Sequence, residues 1–228
     1  MSAKEPPTDR QQHFKAKSLD SQQKGLEDIW IALVYRQLEE NIKKHTDRMS
    51  TIARRGDIQQ VAWHARNLLE LMIYSKFCAK NRENALRFYK DALRDIIDMN
   101  RKHGDELGPE YHETMEIVKK HLNIDDGSAH KFIRIEDAAK QVALDTLYEH
   151  DKKPLHKFVH TSALAVAATT IMGDPKLFRA EFVRIGNSYS EDALKYLKSS
   201  YMCAIAEKYR RFTNEEVMTG KWRKNVPG

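Results

Sequence analysis

The sequence predicts an all-α protein, a multi-helix bundle of about seven or eight helices. Three observations lead there. Apolar residues recur at three- and four-residue spacing through segments longer than ordinary strands. The 9 Gly and 6 Pro cluster between those segments. No stretch alternates apolar and polar residues convincingly, and no internal repeat is visible.

Taken in order, residues 1–21 are polar, contain Pro6-Pro7 and read as a mobile leader. A helix is expected over 22–45, where Leu26, Ile29, Trp30, Leu33, Val34, Leu38 and Ile42 keep helical spacing. Arg54-Arg55-Gly56-Asp57 breaks the pattern, with Asp57 placed to cap the next helix. That helix, 58–80, carries Val61, Ala62, Ala65, Leu69, Met72 and Ile73 on one arc, and a third helix is expected over 82–103. Gly104 and Gly108-Pro109 mark a loop, with Pro109 opening a short helix to Leu122. Asp125-Asp126-Gly127-Ser128 is a turn signal.

A helix over 135–149 is expected to close at Asp151-Lys152-Lys153, with Pro154 opening another that runs to Met172. Gly173-Asp174-Pro175 separates it from a helix over 175–185. Gly186-Asn187-Ser188 then separates that one from a last helix over 190–213. The expected organisation is one bundle domain over 22–213 and a basic tail over 214–228.

Composition excludes several classes. The chain has 228 residues, 41% hydrophobic and 32% charged, enough for one core without disulfides or a structural metal. Cys78 and Cys203 lie far apart and form no metal-binding pattern. The polar N-terminus has no signal-peptide character, and Phe158 to Met172 is too short and too polar to span a bilayer. A cytoplasmic location without a membrane partner is the expectation. The net charge is +6, but Lys221, Arg223, Lys224 and a basic excess before Gly25 hold most of it, so the body is nearly neutral. No glycine-rich phosphate loop, GxSxG elbow, HExxH or Glu-x-x-His pair is present. No cofactor is expected.

Two segments carry candidate chemistry. With about 100° per residue, Arg66 and Lys76 fall inside the apolar arc of the helix 58–80. Glu70 falls at its edge, and His64 faces water. Charges on a core-facing arc require pairing, so Arg66 and Glu70, one turn apart, are either structural glue or part of a polar site. In the segment after Pro154, His156 and His160 share a face, with His160 expected to be buried or in a cleft. A histidine there either satisfies a core hydrogen bond or serves as a general acid or base. The pair also has the spacing of two metal ligands, but no third ligand is identifiable and no metal is expected. A centre built from both segments would hold Arg66, Glu70 and His160, with Lys76, His156 and Lys157 as its binding rim.

These residues carry a resemblance. Ala65-Arg66-Asn67-Leu68-Leu69-Glu70, followed later by Lys157-Phe158-Val159-His160-Thr161-Ser162, resembles a family of bacterial all-helical proteins of unknown function. That family has an Ala-Arg-x-Leu-x-Glu helix followed by an aromatic-Val-His-Pro-Ser segment. The resemblance covers roughly residues 60–170, and Thr161 departs from the family's Pro. It implies Arg66, Glu70 and His160 as shared polar positions and implies no reaction. A looser similarity is to HEPN-type helical bundles, which often act as RNases. Their hallmark is an Arg followed by a His about four to six residues later on one helix. No His follows Arg66 at that spacing, so an Arg66/His160 pair would form across helices.

Two functions follow as expectations. The first is a helical interaction or regulatory module in a bacterial stress or phage-defence setting. It would bind a protein partner or self-associate through an exposed aromatic patch at Trp30, Tyr189 or Trp222. The second is an enzyme acting on RNA, with Arg66 stabilising phosphate charge and His160 moving the proton.

Overall fold

The computed structural model describes residues 9–103, 133–160 and 176–210, together with 162, 165 and 167. Among the described residues there are seven helices and no strand. They are α1 (Asp9–Arg55), α2 (Ile58–Lys80), α3 (Arg82–His103), α4 (Ile135–Gln141), α5 (Asp145–Val159), α6 (Lys176–Lys198) and α7 (Tyr201–Lys208). The architecture is the all-α multi-helix bundle that the periodicity predicts. The expected helix 109–122, the turn at 125–128, the break at 173–175 and the tail 214–228 lie outside the described residues.

The first two junctions follow local chemistry. Gly56 turns the chain between α1 and α2 at φ 88°, a left-handed conformation that favours glycine. Asp57 then accepts a hydrogen bond from the Gln60 backbone N–H at 3.0 Å, satisfying one of the donors left open at the start of α2. Asn81 stops α2 in an extended conformation, and its Oδ1 accepts from the Asn84 N–H at 2.8 Å to cap α3.

α2 is the hub. It packs against α1, α3, α4, α5 and α6, most extensively against α6 and α1. Its sequence suits that place, because Val61, Ala62, Ala65, Leu68, Leu69, Met72, Ile73 and Phe77 are all buried. Trp30 of α1 stacks on Tyr89 of α3 with centroids 5.3 Å apart. Phe158 of α5 meets Phe178 and Phe182 of α6 in an aromatic cluster. Arg82 ties α3 to α1 through Glu27 at 3.0 Å and through Asp28. The Tyr201 hydroxyl of α7 donates to the Asn81 carbonyl at 2.8 Å, at the end of α2.

Four boundaries differ from expectation, each for a physical reason. α1 begins at Asp9 and runs to Arg55, so the helix expected over 22–45 extends beyond both of its expected ends. From Asp9 to Lys24 the chain has no Gly or Pro and is rich in Gln, Lys and Arg. Such a sequence propagates a helix without showing an apolar stripe.

The expected helix 135–149 is broken at 142–144. Leu144 N–H donates to the Ala139 carbonyl at 2.9 Å and Ala143 N–H to the Lys140 carbonyl at 3.2 Å. That is a Schellman closure, with Ala143 at φ 54° where Gly or Asn would ordinarily announce the end.

Pro154 lies inside α5 instead of opening a helix. Its ring removes one helical N–H on an exposed side of the helix. Tyr148, Leu155 and Phe158 meanwhile keep one buried stripe through it. The expected continuation to Met172 does not hold, because α5 ends at Val159 and His160 is extended at ψ 153°.

Finally, α6 runs unbroken through Gly186-Asn187-Ser188, and the chain breaks instead at Ser199-Ser200 before α7. Gly186 is a contact residue. A Cβ there would sit 2.6 Å from Met49 Sδ and 3.4 Å from the Ala65 Cα.

Candidate functional site

α2 and α5 are packed neighbours, which brings the two candidate segments together. Arg66 Nε donates to Glu70 Oε1 at 3.1 Å, one turn along α2. Its Nη1 lies 3.4 Å from His156 Nδ1 on α5. The His156 and His160 rings stand 4.3 Å apart, tilted by 60°. Arg66, Glu70, His156 and His160 therefore form one cluster across two helices.

The cluster is open to water. The Arg66 and Glu70 side chains are 28% and 27% exposed, and both histidines are exposed. His160 is thus exposed where burial was one of the expectations, because the helix ends before it at Val159. The His156 pKa is held below the ordinary imidazole value, first by desolvation and then by the charges of His160, Arg66 and Lys152. Arg66 and the two imidazoles share one patch, with the Glu70 carboxylate on the Nε edge of Arg66.

Ser162 Oγ donates to the Lys157 carbonyl at 2.5 Å and accepts from the Ala165 N–H at 3.2 Å. The Ser of the His-x-Ser motif therefore bonds back to the end of α5 and forward to Ala165. Thr161 itself lies outside the described residues.

Lys157 is exposed on α5 beside His156. Lys76 is not part of this rim. It lies ten residues from Arg66, about 15 Å along the helix axis. Its Nζ sits 5.3 Å over the Tyr196 ring of α6. Among the described residues no group of three or more His, Cys, Asp or Glu side chains is placed to hold a metal ion. Cys78 is buried with its thiol pKa pushed up by desolvation, and Cys203 Sγ receives the Tyr35 hydroxyl at 3.7 Å.

Two aromatic residues expected on the surface are buried. Trp30 is in the α1–α3 contact, and Tyr189 is buried with its hydroxyl bonded to Asp151. Trp222 lies outside the described residues. His64, expected to face water, is 2% exposed, with its Nδ1 2.9 Å from His45 Nδ1 of α1. The exposed aromatic is its neighbour Trp63, 41% exposed. A Trp well away from the apolar arc of a helix was the available sequence signal for it.

No family model, curated protein or solved structure matches this chain. Among the described residues no helix is long and apolar enough to cross a membrane.

Proposed function

We propose that this chain engages RNA, with the Arg66–His156–His160 face as its phosphate-binding centre. The observation that supports this most is the approach of Arg66 Nη1 to His156 Nδ1 at 3.4 Å, with the His160 ring 4.3 Å from that of His156. Three groups able to carry positive charge are held together on an open face, and Glu70 occupies only the Nε edge of the guanidinium. Beside the His156 contact on Nη1, a phosphate takes the remaining N–H donors of the guanidinium.

The same arrangement suits cleavage. The two rings are too close together to flank a phosphate from opposite sides, so they provide one proton acceptor instead of an in-line acid–base pair. His160 takes the proton of the ribose 2′-hydroxyl, and the 2′ oxygen attacks the adjacent phosphorus. Arg66 balances the charge that builds on the non-bridging oxygens. The bond from phosphorus to the 5′ oxygen breaks, and that oxygen takes its proton from water. The products are a 2′,3′-cyclic phosphate and a 5′-hydroxyl end.

The alternative, an interaction module in a stress or phage-defence setting, finds no surface patch at Trp30 or Tyr189, since both are buried.

The test is incubation of the purified protein with total cellular RNA, beside His160→Ala and Arg66→Gln, with and without EDTA. The expected result is cleavage by the wild type that persists in EDTA and is lost in His160→Ala. Retention of RNA on a filter should weaken in Arg66→Gln. Since both side chains are at least partly exposed, both variants should melt near the wild-type temperature. RNA retained but uncleaved would remove the catalytic step and leave the binding surface. No retention and no cleavage would overturn the proposal.

A further inference from the structure

One turn before Arg66, on the same side of α2, the described surface opens into a groove of about 430 Å³ between α1 and α2. Its lining includes Asp47, Arg48, Arg55, Gln60, Trp63 and His64. Three features set it apart. First, Trp63 is a large aromatic left 41% exposed on the central helix. Its ring packs against the His45–His64 pair, at 5.4 Å and 4.8 Å, so it is a supported platform. Its carbonyl accepts from Asn67 Nδ2 at 2.7 Å. Second, the groove has two exposed arginines against one aspartate, and neither Arg48 nor Arg55 is in an ion pair among the described residues. Third, Trp63 and Arg66 are separated by only about 4.5 Å along the helix axis and about 60° around it. The groove and the Arg66–His156–His160 cluster are therefore successive stretches of one surface.

We infer that the α1–α2 groove is a nucleobase subsite, in which a base of single-stranded RNA stacks on Trp63. Arg48 and Arg55 neutralise the phosphate on one side of that nucleotide, and Arg66 with its histidines takes the phosphate on the other. This deepens the RNA reading and rests on it. An exposed indole flanked by arginines at both ends is the pattern of single-strand binding, where aromatic faces accept bases with little sequence preference and cations follow the backbone. Duplex RNA does not fit, because its bases are stacked on one another and cannot reach a side-chain ring.

The experiment uses the full chain with three probes: a fluorescein-labelled twelve-residue oligouridylate, its duplex with oligoadenylate, and tripolyphosphate, which has no base. Trp63→Ala should weaken the single strand by about 5- to 100-fold, as loss of one base–aromatic stack does. It should leave tripolyphosphate unchanged, and Trp63→Phe should restore most of the single-strand affinity. Arg66→Gln should weaken both single strand and tripolyphosphate. The duplex should bind more weakly than the single strand. In a second arm, adenosine monophosphate should quench tryptophan fluorescence in the wild type and not in Trp63→Phe.

Unchanged oligouridylate binding by Trp63→Ala would overturn the subsite while the phosphate-binding face survives. Equal loss of tripolyphosphate and oligouridylate in that variant would also overturn it, because the ring would then be bracing the cluster instead of receiving a base. Quenching by the nucleotide without binding of either RNA would uphold the base subsite and overturn the RNA reading. Neither quenching nor binding would overturn both.

Discussion

His64 and Trp63 are adjacent in sequence and opposite in environment. His64 is buried against His45, with the two Nδ1 atoms 2.9 Å apart. That contact requires one ring to donate and the other to accept, so it exists only while at least one is neutral. The His64 pKa is pushed down to about 4, by desolvation first and then by the charges of His45 and Arg48. The His45 pKa is lowered too, by desolvation and then by Arg48 and Lys44. The sign for stability follows. Above the unfolded value of 6.5, His64 is neutral in both states and nothing is lost. As pH falls from 6.5 toward about 4, the unfolded chain takes up a proton that the folded chain resists, and stability declines. The expected decline from this residue is up to about 3 kcal/mol. Urea titrations across that window should show a shallower pH dependence in His64→Leu than in the wild type. Parallel curves would show that the pair is not coupled to folding. Helical spacing alone put His64 in water. A buried His is revealed by its partner, and His45 is on another helix.

At the scale of elements, the α1–α2–α6 crossing depends on a residue with no side chain. Gly186 lies in the middle of α6, where glycine costs about 1 kcal/mol against alanine. The close approach explains its place there. Met49 is fully buried, and its thioether fills the space that a Cβ at 186 would enter. Gly186→Val should lower stability by about 1–3 kcal/mol through overpacking, despite its better helix propensity. Chemical denaturation measures this, and Met49→Ala in the same chain should recover part of the loss by making room. A neutral Gly186→Val would mean that α6 can move away from α1 at no cost. Gly186-Asn187-Ser188 reads as a break because glycine ends helices and also lets helices touch. Only the neighbour distinguishes the two. Ala143 is the converse case, a left-handed helix end without the glycine that would signal it. By contrast, Gly56-Asp57 and Asn81 are legible as boundaries because their own backbone and side chains make the turn and the caps.

At the scale of the molecule, α2 is central and its burial links the other helices. Phe77 is fully buried near the end of α2, close to where Tyr201 of α7 and Asn84 of α3 bond to backbone carbonyls. Phe77→Ala should cost about 3–5 kcal/mol, a large share of the stability of an ordinary domain. Fluorescence and circular dichroism should then report one earlier, coincident unfolding transition. Separate transitions would show that α7 and α3 are not coupled through α2.

The sequence alone determined the helical class, the limits of α2 and α3, the turn at Gly56-Asp57 and the pairing of Arg66 with Glu70. Each of these depends on residues within a few positions of one another, where spacing and local hydrogen bonding govern the outcome. The sequence also singled out His156 and His160, although it did not show that they face water. Tertiary structure decided what lies between elements: the approach of His156 to Arg66, the burial of Trp30, Tyr189 and His64, the removal of Lys76 to Tyr196, and the groove beside Trp63. Those contacts join residues far apart in the sequence, 90 positions for Arg66 and His156. They arise because burying the apolar arc of α2 on five neighbours fixes which polar residues are left at the seams.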